Sequence, residues 1–199
     1  MSATGPLPWR LARWLVVSLA PFLVPFLAPA GAAPVAYRLD PERSFVHFEV
    51  VHFGTSTLRG RLGAIDGQAT LDLAQHRGEV SLRLATAGVS TGVPILDARL
   101  READLFDSVG HPQAFFVATQ FRFDGDRLAE VRGEFTLRGT SRPLSLRAQR
   151  FGCRADAEGE ICGGDFEAEL LRSDFGATFG LPFVADRVRL LVQVQTRRR

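Results

Sequence analysis

The stretch Phe45-Val46-His47-Phe48-Glu49-Val50-Val51-His52 places Val46, Phe48, Val50 and His52 on one face and His47 and Glu49 on the other. A helix would repeat its apolar residues at three and four, whereas successive strand side chains point to opposite faces, so this is a strand with one dry and one wet side. The same alternation returns along the chain. Val80, Leu82 and Leu84 alternate with Ser81 and Arg83, and Phe135 and Leu137 with Glu134, Thr136 and Arg138. Leu144, Leu146 and Ala148 oppose Ser145, Arg147 and Gln149, and Phe166, Ala168 and Leu170 oppose Glu167 and Glu169. Val188, Leu190, Val192 and Val194 oppose Arg187, Arg189 and Gln193. Strands wetted on a single face belong to antiparallel sheet.

Turn signals at Gly60, Gly63 to Gly67, His76-Arg77-Gly78, Asp124-Gly125-Asp126, Gly139 and Glu158-Gly159 cut the pattern at short intervals, which reads as a sandwich or an up-and-down barrel. One helix is expected, Leu96 to Leu105, set off by Thr91-Gly92-Val93-Pro94. Leu96, Leu100 and Ala103 share a face there, and Asp97 is spaced to pair with Arg101.

Residues 1–32 read as a secretory signal peptide. Arg10 and Arg13 precede an apolar run from Trp14 to Leu27, and Ala30-Gly31-Ala32 offers a cleavage site that leaves Ala33 first. Pro21, Pro25 and Pro29 interrupt the run and weaken the alternative of an uncleaved anchor. All basic residues are arginine, and removing Arg10 and Arg13 leaves 22 of them against 22 acidic residues. A neutral chain lacks the electrostatic drive for general nucleic-acid binding, so no nucleic-acid partner is expected. The closing Arg197-Arg198-Arg199 reads as a frayed, solvated end, the alternative being a contact with anionic lipid head groups. Residues 33–199 are long enough for one well-filled domain core.

Cys153 and Cys162, with eight residues between them around a turn in an exported chain, read as a disulfide. Closing such a loop contributes about 2.5 to 3 kcal/mol on the chain-entropy account. No metal motif, phosphate loop, dinucleotide fingerprint or nucleophile elbow is present, so no cofactor, metal or catalytic residue is assigned. His47 and His52 face opposite sides of their strand, and His76 and His111 read as loop residues. His52 shares the apolar face of Phe48 and Val50, either as a satisfied inward histidine or as a ligand contact at a pocket mouth.

The order of motifs resembles the YceI-like family. The resemblance is carried by Tyr37-Arg38-Leu39-Asp40, Ser44-Phe45-Val46-His47-Phe48, His52-Phe53-Gly54, the Gly60 to Gly67 turn and Asp72. It continues through Ser90-Thr91-Gly92, Asp97 with Leu100-Arg101, Asp104-Leu105-Phe106-Asp107 and His111-Pro112. The most specific pieces are Gly133-Glu134-Phe135-Thr136-Leu137-Arg138-Gly139-Thr140-Ser141-Arg142-Pro143-Leu144 and Arg172-Ser173-Asp174-Phe175-Gly176. At Arg99 many members carry histidine, and at Glu102 serine is common.

The resemblance implies an all-β, eight-stranded antiparallel lipocalin-like barrel with one short helix, located in the periplasm and holding a long-chain isoprenoid lipid of polyprenyl phosphate or quinone type. A transient contact with the inner membrane is compatible with such a ligand. Strand alternation then assigns the lining to Phe48, Val50, His52, Phe135, Leu137, Phe166, Val188 and Leu190. Two other function classes fit the same barrel. One is a small periplasmic enzyme using His52, Asp97 or Asp174 as acid or base on a hydrophobic substrate. The other is a partner of a membrane redox or stress system with a barrel filled by its own side chains.

Overall fold

The computed structural model describes Met1, Ser2, Gly5 and residues 33–199; apart from those three residues, the expected leader lies outside the described residues. Ten strands and one helix follow in order: β1 (Val35–Leu39), β2 (Phe45–His52), β3 (Ser56–Arg61), β4 (Ile65–Asp72), β5 (Arg77–Ala85), α1 (Pro94–Leu100), β6 (Gln113–Asp124), β7 (Arg127–Leu137), β8 (Thr140–Asp156), β9 (Gly159–Leu171) and β10 (Val184–Arg198). The ring β1-β4-β5-β6-β7-β8-β9-β10 is antiparallel throughout and closes where β1 pairs with β10, giving an eight-stranded barrel. Closure leaves no open edge in the ring.

β10 is long enough to take two partners on one side. Its Thr196–Arg198 segment pairs with β1, and its Val184–Gln193 segment pairs with β2, which carries β3 as a hairpin. The β2–β3 hairpin therefore extends the wall at the end of the barrel where β5 runs into α1, and the β8–β9 hairpin marks the opposite end. The disulfide Cys153–Cys162 joins directly opposed residues of that β8–β9 hairpin. At the β7–β8 turn, Arg138 and Gly139 both hold positive φ, 52° and 71°, which is the conformation a two-residue hairpin loop demands.

The dry faces converge on a core that includes Val46, Phe48, Ile65, Leu84, Phe116, Phe135, Phe166, Leu190 and Val192. Ion pairs run across the outer face. Arg59 meets Glu49 at 2.8 Å, Arg189 reaches both Glu49 at 3.3 Å and Glu167 at 2.8 Å, and Arg187 meets Glu169 at 2.7 Å. Each such exposed pair contributes about 0.2 to 1 kcal/mol and helps fix the strand register.

Four expectations from the sequence are corrected. The helix spans Pro94–Leu100 and not Leu96 to Leu105; after Leu100 the chain turns, and the Phe106 amide donates to the Leu100 carbonyl at 2.9 Å. Asp97 does not pair with Arg101. It accepts from the Thr91 amide at 2.6 Å and the Thr91 hydroxyl at 2.7 Å, while Arg101 donates to the Ala87 and Val89 carbonyls. Gly60 and Gly67 lie within β3 and β4 and not in one turn. Gly60 sits opposite Phe48, and a Cβ there would come 2.3 Å from the Phe48 ring, so the position must stay bare to let that ring cross it. The C-terminal arginines are not frayed: Arg197 and Arg198 are strand residues opposite Arg38 and Tyr37 and form the seam that closes the ring.

Candidate functional site

Strand register assembles the site. Phe48 stands opposite Leu190 and Val50 opposite Val188 across β2 and β10; Leu190 and Val188 in turn stand opposite Ala168 and Leu170 on β9. Because these residues are two apart on each strand, they make one continuous apolar wall. Phe135 and Leu137 on β7 supply another side, and Leu96 and Leu100 on α1 close the top. The space they leave is a cavity of about 310 Å³.

Seven of the eight residues assigned to the lining share this cavity: Phe48, Val50, His52, Phe135, Leu137, Val188 and Leu190. Phe166 does not. It lines a second, smaller cavity of about 60 Å³ toward the β8–β9 hairpin end, together with Phe116, Phe121, Phe151 and Leu82. Phe166 stands opposite Val192, two residues along from Leu190, so it lies one layer deeper. Val46, also opposite Val192, is buried and lines neither cavity.

Several lining residues escaped the sequence reading. Leu58 and Leu62 come from β3 and the residues just after it, where no alternation is visible. Leu96 and Leu100 carried a helical signal that does not say what the helix covers. Leu105, Phe106 and Phe179 lie in irregular segments, where periodicity says nothing. Phe106 meets Phe48 with ring centroids 6.5 Å apart.

The polar members are His52, Arg99 and Arg172, with no carboxylate among the residues lining the cavity. Arg172 is only 8% exposed. It donates to the carbonyls of Ala185, Ala177, Phe179 and Val184 at 2.6 to 2.9 Å, tying the loop between β9 and β10 into one unit. Burial pulls its guanidinium below the ordinary arginine value, with the Asp186 charge acting in the opposite sense. Arg99 stacks on the Phe179 ring, 3.8 Å from its centroid, and forms a two-pronged bond to Asp104 at 2.6 Å. Asp104 raises the Arg99 pKa, chiefly through that bond.

The acid and base groups of the enzyme reading do not converge. Asp97 is held below the usual carboxylate range, first by its bonds from Thr91, and its oxygens are committed to Thr91 and Ser90. Asp174 is exposed, and neither aspartate lines the cavity with His52. Near the hairpin, Cys153, Glu160 and Cys162 bring potential metal-binding atoms together, but the two sulfurs are bonded to each other and offer no thiolate.

Comparison with known proteins gives a consistent picture. Residues 37–196 match the family model for the YceI-like domain. Protein YceI of Escherichia coli O157:H7 is 32% identical over 171 residues, covering 83% of this chain and 89% of that protein. Among solved structures, BcnA of Burkholderia cenocepacia superposes with a TM-score of 0.69 at 20% identity, over 79% of this chain and 98% of that one. A polyisoprenoid binding domain from Saccharophagus degradans superposes with a TM-score of 0.61 at 17% identity, over 83% and 99%. At those identities the structural matches speak to the fold.

Proposed function

This chain belongs to the YceI-like family, and on that premise we propose that it binds and carries a long-chain isoprenoid lipid inside its barrel. The observation that carries the reading is the apolar cavity of about 310 Å³ bounded by β2, β7, β10 and α1. It is concave, preformed and almost wholly hydrophobic, with its few polar groups gathered on one side, which is how sites for amphiphilic ligands are built. The relative from Saccharophagus degradans, described as a polyisoprenoid binding domain, supports the same choice of ligand.

The reading assigns no catalysis. It places the protein in the periplasm after export by the leader of residues 1–32. Among the described residues no helix is long and apolar enough to cross a membrane. The ligand comes from a bilayer, where its tail is already dry. Burying about forty carbons at about 0.8 kcal/mol each would give about 30 kcal/mol from water, but little of that is gained on moving from one apolar medium to another. Loading then calls for a transient membrane contact. Phe53, Phe183 and Ile95 are 62%, 64% and 81% exposed and directly adjoin the lining residues His52, Val184 and Leu96, so they are the groups placed to make it.

Val50→Phe and Phe48→Leu test the assignment by reshaping the cavity while keeping it apolar, at a stability cost of about 1 to 3 kcal/mol. Both variants are expected to fold and to co-purify with a different amount or chain length of lipid. An unchanged lipid complement in both would contradict the cavity assignment.

A further inference from the structure

We propose that Cys153, Cys162 and Glu160 form a redox-gated metal site at the hairpin end of the barrel. It is closed while the disulfide stands and takes a thiophilic divalent cation of the Zn²⁺ class once a dithiol has reduced that bond. The site lies at the far end of the strands from α1 and does not depend on the lipid reading.

The fold supplies a third ligand that the spacing of the two cysteines lacks. Glu160 precedes Cys162 by two residues on β9, and Cys153 stands directly opposite Cys162 on β8. The two sulfurs and a Glu160 carboxylate oxygen all lie within 4.8 Å of one another. Tyr37 donates to Oε2 of Glu160 at 2.7 Å, and Arg198 stands 3.8 Å from the same oxygen. Among the described residues nothing donates to Oε1, which leaves it free to ligate. Metal-bound carboxylates are held in place by such outer hydrogen bonds, and Tyr37 provides one.

Strand pairing decides which sulfur can move. β9 is held on both sides here, since Ile161 and Cys162 also stand opposite Arg197 and Thr196 of β10. β8 pairs with β7 only as far as Arg147, so the segment carrying Cys153 is held by β9 alone. The Cα atoms of the two cysteines are 4.0 Å apart, which keeps the freed sulfurs neighbours. Two thiolates on one tetrahedral zinc stand about 3.8 Å apart, given Zn–S bonds of about 2.3 Å. A small shift of the one-sided β8 segment provides that spacing.

Cys162 is 1% exposed and Cys153 half-buried, so reduction begins at Cys153. A thiolate of the dithiol attacks the Cys153 sulfur, and Cys162 leaves as a thiolate that takes up a proton. The second sulfur of the dithiol then displaces Cys153, so the reductant departs as its own disulfide and both cysteines are thiols. Metal binding releases the two thiol protons. One divalent cation, two thiolates and one carboxylate leave a single negative charge, which Arg198 faces. Thiolates select zinc over magnesium or calcium, and a fourth position stays open for water.

The test compares the disulfide-bonded protein with the same protein reduced by dithiothreitol and desalted without oxygen, using Cd²⁺ and Zn²⁺ as probes. The reduced protein is expected to keep its β-sheet circular dichroism and to bind one Cd²⁺ per chain, read as a thiolate-to-cadmium absorption band. The oxidised protein should show no such band. Glu160→Gln, which keeps both thiols, is expected to weaken Zn²⁺ binding at least about tenfold in competition with a chromogenic chelator. Glu158→Gln, in the same turn but paired with Arg197, should leave the affinity alone. No band in the reduced protein, the same band in the oxidised protein, equal weakening by the two glutamate changes, or one metal shared between two chains would overturn the site. Loss of the sheet signal on reduction would show the disulfide to be a staple alone and overturn it as well.

Discussion

Tyr37 is the chain's single tyrosine, 2% exposed, and its hydroxyl donates to Glu160 at 2.7 Å across the barrel seam. Burial first, then the bond to Glu160 and the Glu160 charge, push its phenol up to about 12 from an ordinary value near 10. The unfolded chain therefore loses this proton before the folded chain does. The stabilisation from the neutral phenol is fully present below about pH 10 and is lost as the pH rises toward about 12. Phenolate absorbance reads this one group directly. The native protein should titrate near 12 and the denatured protein near 10; a native midpoint near 10 would refute the seam contact. Much of the site was legible at this scale, since alternation alone told that Phe48, Val50, Phe135, Leu137, Val188 and Leu190 face inward. Alternation names a face but not a depth, so Phe166 could not be assigned to the deeper of two layers. The roles of Arg172 and Phe179 depend on carbonyls brought together only by the fold.

Strands were more readable than their connections. Every stretch of period-two alternation became a strand, because a half-buried antiparallel strand has no other way to divide its side chains between core and water. The helix was overextended for an identifiable reason. Leu105 and Phe106 both line the cavity, and in a continued helix they would point about 100° apart around the axis; ending at Leu100 lets the turn deliver both. The C-terminal arginines misled because sequence shows their charge and not their partners. Arg197 bridges Asp156 and Glu158, Arg198 stands opposite Tyr37, and the Arg199 amide donates to the Ala36 carbonyl at 3.0 Å. Deleting Thr196–Arg199 removes the β1–β10 pairing. Amide exchange in Val35–Leu39 should then rise sharply, while β6 and β7 keep their protection. Unaltered exchange in β1 would show that its pairing with β4 suffices to hold it.

The closed ring, the β2–β3 hairpin and α1 together leave most of the empty space near the helix end and a small remnant near the hairpin end, with the Val46 layer between. An engineered cavity of about 150 Å³ holds one benzene ring. On that scale the larger space accommodates about a dozen carbons, or two to three isoprene units. A longer tail must therefore displace the layer of Val46, Phe116 and Phe166 and join the two cavities, which makes the barrel's interior a fitted channel only when occupied. Carriage of such a lipid is the central claim, and mass spectrometry of an organic extract from natively purified protein tests it most directly. The account predicts an isoprenoid lipid in stoichiometric amount. An extract with no isoprenoid after gentle purification would contradict it and leave a barrel filled by its own side chains.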